Sequence, residues 1–278
     1  MGSLISPRIR ITPFLLVYWG FFSVDPSAVL GGDLKPETFV PFLFLGITMD
    51  IFFNMGYGTF TGKFMTEKWW QTLEIILLAP INKLSLLTGV GLGDLVSIAP
   101  TLVLFVGLAY YLSPIPFLEL VKVLIVMLLC FLISLSIGLI TGCASLVNEN
   151  LNPFFGYLKV FIALLSAFYY PIEVLKTDKF GSLGYLLPVI ATFNPIYQAN
   201  FIIRSIWFDG ITPLNSVIYV LFFAIISPIA AVYVFNKMDR LTPELQQALR
   251  DRIANLAPGS VFTSANDAAG LEPLRELL

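Results

Sequence analysis

Val123-Leu-Ile-Val-Met-Leu-Leu-Cys-Phe-Leu-Ile-Ser-Leu-Ser-Ile-Gly-Leu-Ile-Thr-Gly-Cys-Ala-Ser-Leu-Val-Asn148 contains no Asp, Glu, Lys or Arg. As a helix it spans more than the roughly 30 Å of a bilayer's hydrocarbon layer. Residues 95–118 and 211–236 are equally free of charge. Such stretches are too many and too long for a soluble core. A closed barrel would need short alternating strands instead, and in lipid a helix satisfies its own backbone polar groups segment by segment. The chain reads as an all-α, polytopic membrane protein, which directs the search for function to transport, conduction or intramembrane chemistry.

Composition narrows this further. Hydrophobic residues make up 57% and charged residues 12% of the 278 positions, against roughly 25% charged in an ordinary soluble domain. The net charge of -2 comes with no basic patch, so nucleic acid is not an expected partner. Histidine is absent, which removes His-based acid–base catalysis and His-ligated metal. Cys130 and Cys143 share one span and lie about 20 Å apart along a helix, too far for a disulfide. No metal site is expected.

Working outward, the pattern predicts six spans at about 9–24, 38–62, 84–112, 120–147, 153–171 and 212–236. Pro7-Arg-Ile-Arg10 opens the first, and no small-x-small cleavage pattern precedes Asp25-Pro26, so a cleaved leader is not expected. Gly89, Gly91, Gly93, Asp94 and Pro100 are expected to interrupt span three, and Ser113-Pro-Ile-Pro116 to turn sharply. Residues 171–209 read as amphipathic rather than spanning. Thr242-Pro243-Glu244 carries helix-start signals, and Leu245, Leu249, Ile253 and Leu256 recur on one face, so the tail 241–278 is expected to hold a short amphipathic helix. Six crossings put both termini on one side. Inner segments then carry seven Lys or Arg before the tail and outer segments five, a small positive-inside excess that places both termini in the cytosol.

Asp50, Asp94 and Lys159 fall within or near the spans. An isolated charge at the bilayer centre costs roughly 2.5–3.5 kcal/mol, so each should face protein or water, along a translocation path or in a buried ion pair such as Asp94 with Lys159. Small residues four apart (Gly58 and Gly62, Gly89 and Gly93, and Ser134, Gly138 and Gly142) predict close helix packing. No G-x-x-x-x-G-K-[ST] occurs, so no catalytic or ATP-binding role is expected of this chain.

Between spans two and three stands Glu67-Lys-Trp-Trp-Gln-Thr-Leu-Glu-Ile-Ile-Leu-Leu-Ala-Pro80, with charges and aromatics before an apolar run. Such a segment can lie along a membrane face with Trp69 and Trp70 at headgroup depth. It resembles the cytosolic coupling helix of type-2 ABC exporter permeases, roughly E-x-x-x-G-T-L-E-x-L-L-x-x-P. Glu67, Thr72, Leu73, Glu74, Leu77, Leu78 and Pro80 match, while Gln71 replaces the usual glycine. A second likeness follows span five: Ser166-Ala167 where the family has Ser-Gly, then Tyr170-Pro171-Ile172, Asn194-Pro195 and Arg204. The likeness extends over about residues 39–236.

The resemblance implies an exporter subunit of the polysaccharide or drug class in the cytoplasmic membrane. It implies two short outward half-helices before span six, with Pro171, Asn194, Pro195 and Arg204 in that re-entrant motif. It further implies a homodimer, or a heterodimer with a paralogous permease, above two ATPase subunits. ATP and Mg would bind those partners and no cofactor this chain, with Glu67, Lys68, Trp69, Trp70, Thr72, Leu73, Glu74 and Pro80 at the contact. Two rivals remain open: an ion-gradient-driven transporter using Asp50 and Asp94, and an enzyme acting on lipid-linked substrates.

Overall fold

A computed structural model of the chain describes residues 36–70, 83–170, 172 and 183–238, and no strand occurs among them. The helices are α1 (Pro36–Trp69), α2 (Lys83–Leu112), α3 (Phe117–Val147), α4 (Asn152–Leu165), α5 (Leu183–Thr192), α6 (Pro195–Arg204) and α7 (Leu214–Met238). A 3-10 turn, Glu149–Leu151, precedes α4, and α6 runs into a π-helical turn, Ser205–Asp209. Span one, Thr72, Leu73, Glu74, Pro80, Pro171 and the tail 241–278 lie outside the described residues.

Among the described residues, four helices are long and apolar enough to cross a membrane: Phe39–Trp69, Leu84–Leu112, Phe117–Val147 and Leu214–Lys237. Leu186–Thr192 with Pro195–Asp209, bent by 85°, forms a candidate fifth. This is a multi-pass, all-α membrane protein. The boundaries of α2, α3 and α7 fall close to those expected from the charge-free runs.

Three expectations are corrected. Span two does not stop at residue 62, because α1 continues to Trp69 as one rod of 34 residues, about 51 Å long. Its added turns carry lysines satisfied sideways: Lys63 Nζ donates to Asp94 Oδ1 at 2.8 Å and Lys68 Nζ to the Leu146 carbonyl at 3.3 Å. Span three is not interrupted at its glycines or at Pro100. Span five is the largest miss. Its helix, α4, has 14 residues, about 21 Å, and ends at Leu165. There the Ser166 hydroxyl bonds back to Ile162 O at 2.7 Å, and Ala167 turns to a φ of 50°.

α1 and α3 form the centre. The far side of α2 and most of α7 present Leu92, Val96, Val103, Ile218, Phe222 and Ile229 outward, as lipid-facing helices do. Phe60 and Phe64 of α1, Leu87 of α2, Leu139 and Cys143 of α3, and Ala231 and Phe235 of α7 meet in one cluster. Their positions along each helix show that α1, α3 and α7 run in the same direction and α2 against them. The chain leaves α3 at this end and enters α7 at the other. The segment between therefore makes a net crossing, and no described helix within it is a single long rod.

Glycine sets the α1–α3 contact. A Cβ on Gly138 would stand 2.4 Å from the Tyr57 carbonyl oxygen, and one on Gly56 would stand 2.8 Å from the Ser134 Cβ. Gly142 is nearly as tight, 3.1 Å from Thr61 N. The spacing in α3 therefore marks the crossing as expected. Gly58, Gly62, Gly89 and Gly93 do not, since a Cβ at any of them meets nothing within 4 Å. The close contacts fall instead at Gly56, against Ser134, and Gly91, against Leu135. In thermal unfolding of the protein in nanodiscs, Gly138→Ala should cost about 1–3 kcal/mol by overpacking. Gly58→Ala and Gly62→Ala should be neutral or gain up to about 1 kcal/mol from helix propensity.

Candidate functional site

Non-helical backbone within a membrane protein must find partners for its freed carbonyls and amides. Among the described residues two breaks pose that problem, one after α4 and one between α5 and α6, and side chains of the α6 segment answer most of it. Asn194 caps α6, its Oδ1 accepting from Ile196 N at 3.0 Å. Its Nδ2 donates to Ser166 Oγ at 2.9 Å and to Ile162 O at 3.3 Å. One amide thus joins the breaks, with Pro195 beginning α6 beside it.

One and a half turns on, Asn200 is fully buried and donates to Ser166 O at 3.0 Å and Ala167 O at 3.1 Å. A further turn along, Arg204 donates from Nη1 to Ala167 O at 2.8 Å and from Nη2 to Phe168 O at 2.7 Å. Its guanidinium lies 3.7 Å from the centre of the Phe42 ring of α1. Gln198 donates to Thr192 O and Tyr219 of α7 to Phe193 O, both at 2.7 Å, closing the second break. The Tyr170 hydroxyl reaches Leu164 O. The 166–168 turn also packs on α1: a Cβ at Gly46 would lie 1.8 Å from Phe168 O. Ser166, Asn194, Pro195 and Arg204, read from sequence as one motif, are thus brought together in space. Asn200, Gln198, Tyr219 and Gly46 were missed. Asn200 and Arg204 do stand four apart, a polar pair on one face of an otherwise apolar stretch.

A second polar group lines α1. Asp50 is buried, and Oδ1 accepts from Asn54 Nδ2 at 2.6 Å while Oδ2 accepts from the Tyr169 hydroxyl at 2.7 Å. Tyr57 donates to Phe155 O of α4 at 2.9 Å, and the Lys159 ammonium sits 5.6 Å from its ring centre. Asp94 is not paired with Lys159. It is held by Lys63 at 2.8 Å and by the Thr59 hydroxyl at 2.6 Å, because Thr59 and Lys63 are one turn apart on the face of α1 toward α2.

Glu67, Lys68 and Trp69 form the last turn of α1, and Trp70 closes it. Trp69 and Trp70 are 83% and 71% exposed, whereas Lys68 turns back onto the end of α3. Compared with known proteins, this chain matches no family model, no curated protein and no solved structure.

The left-handed turn at residue 167 has a measurable consequence. Alanine there carries a Cβ that glycine would not, so Ala167→Gly should stabilise the protein by about 1 kcal/mol. Arg204→Met should cost roughly 2–3 kcal/mol by leaving Phe168 O unbonded. Denaturant titration in detergent micelles reads both signs.

Proposed function

We propose that the chain is the membrane subunit of an ATP-driven exporter of the type-2 ABC permease kind. In this reading it lies in the cytoplasmic membrane with both termini cytosolic and works as a dimer. A separate ATPase subunit binds ATP and Mg. The observation that carries the reading is the junction just described. Ser166, Asn194 and Arg204 lie up to 38 residues apart, resemble the family's motif in order, and share one hydrogen-bonded knot.

The geometry supplies a route for mechanical coupling. α1 is continuous from Phe42 and Gly46, against the Arg204 junction, to Glu67, Trp69 and Trp70 at its far end. A continuous helix of 34 residues joins the two ends, so a push on its exposed end would be carried to the contacts at the other. ATP binding would enter as a shift between two arrangements of the membrane helices that differ in contact with the ATPase. Glu67, Trp69, Trp70, Leu73 and Glu74 are the residues assigned to that contact.

One observation favours the ion-coupled alternative: Asp50 is a buried carboxylate held by an amide and a phenol. The two separate cleanly. For the exporter, Glu67→Lys with Glu74→Lys should abolish co-purification with the ATPase subunit and ATP-dependent transport in proteoliposomes. Asp50→Asn should leave ATP dependence intact. Transport driven by an ion gradient with no ATPase present, and lost in Asp50→Asn, would establish the alternative.

A further inference from the structure

Among the described helices α4 is the least embedded. α3 buries fourteen residues and α4 only one, Leu165, at its last position. Ile162 and Ala163, one turn earlier, pack against the core from its edge. Phe154, Tyr157, Val160, Phe161 and Leu164 face outward. Lipid tails solvate such a surface as well as protein does, so apolar packing gives little reason for the body of α4 to stay docked.

Polar contacts hold it, and they are unequally placed. At the C-terminal end the 166–168 turn is fixed to α6 by Asn194, Asn200 and Arg204, with Tyr169 bonded to Asp50 just beyond. At the N-terminal half, the described hydrogen bond from α1 with full strength is that of Tyr57 to Phe155 O, with Lys159 seated over the same ring. The approach of Asn152 to Met65 Sδ, at 3.7 Å, is a weak donor contact to sulfur. Before α4 lies only the three-residue 3-10 turn.

We infer that α4 is a strap, pivoting on the 166–168 junction and latched to α1 by Tyr57. The latch gathers a carbonyl and an ammonium from successive turns of α4. Its release frees the Tyr57 hydroxyl of α1, while Asp50, seven residues earlier on that helix, stays bonded to Tyr169 on the fixed side of the pivot. The groups uncovered are that phenol and the Phe155 carbonyl it held. The pivot stays closed because its bonds come from α6, which does not move with α4. This device goes beyond the exporter assignment and does not depend on what drives transport.

The test is a distance measurement on the full chain in nanodiscs, by double electron–electron resonance. Spin labels go at Leu92 of α2 and Tyr157 of α4, both exposed, with a control pair at Leu92 and Ile229 of α7. The buried Cys130 and Cys143 are replaced by alanine. Tyr57→Phe removes the hydroxyl and keeps the ring, and should raise the ratio of displaced to docked α4 about threefold. Tyr57→Phe with Lys159→Met should raise it about tenfold. The control distance should hold in both. Unchanged α4 distances in both variants overturn the inference, as does broadening of the α4 and control pairs together, which reports general loosening.

Discussion

Carbonyl groups that lose their helical partners in a low-dielectric surrounding must be bonded by something else, at a cost of several kcal/mol apiece if they are not. The described residues 162–170 and 183–204 are organised around that requirement. Ile162, Ser166, Ala167, Phe168, Thr192 and Phe193 all present carbonyls to side chains, and Asn194, Gln198, Asn200 and Arg204 supply nearly all the donors. Arginine suits its place because the planar fork reaches two successive carbonyls while its face lies on Phe42. Two breaks stapled by one short helix let the described chain make a net crossing in short helical pieces.

The other half of the design is close contact between α1 and α3. Gly56, Ser134, Gly138 and Gly142 bring the two backbones near enough that Thr61 lies 3.2 Å from Gly138 O and 3.3 Å from Thr141 Oγ1. Van der Waals packing and such cross-helix polar contacts are what hold helices together when lipid surrounds them. α1 is thereby fixed along its length, to α3 by glycine, to α2 by Lys63 and Asp94, and to the junction by Gly46 and Phe42. Among the described contacts α4 is attached more sparsely, and the Tyr57 hydrogen bond with the Lys159 ammonium on its ring ties its N-terminal half to α1.

Much of this was legible in the sequence because hydrocarbon thickness imposes a length and the charge-free runs report it directly. The ends of α2, α3 and α7 follow from Lys83, Ser113, Asn148 and Lys237. The Ser166, Asn194 and Arg204 motif was legible too, though the reason for it was not, since a carbonyl's need for a donor appears only once the chain has turned. What failed shares a cause. Lys63 looked like a boundary because charge usually marks one, but a neighbouring carboxylate on α2 let α1 continue. Asp94 was matched to the wrong lysine because pairing depends on which helix faces which. Gly58 and Gly62 have the right spacing on the wrong face, and periodicity alone does not give the rotation of a helix about its axis. The 153–171 run hid the break at Ser166 because a serine bonding back to its own helix leaves no apolar gap.

Cryo-electron microscopy of the protein in a lipid nanodisc tests the central claim most directly. The account predicts density for the Arg204 guanidinium on the Ala167 and Phe168 carbonyls, Asn194 bridging to Ser166, and an 85° bend ahead of α6. An α4 that runs straight on past residue 170, with Arg204 turned away from that backbone, would contradict it.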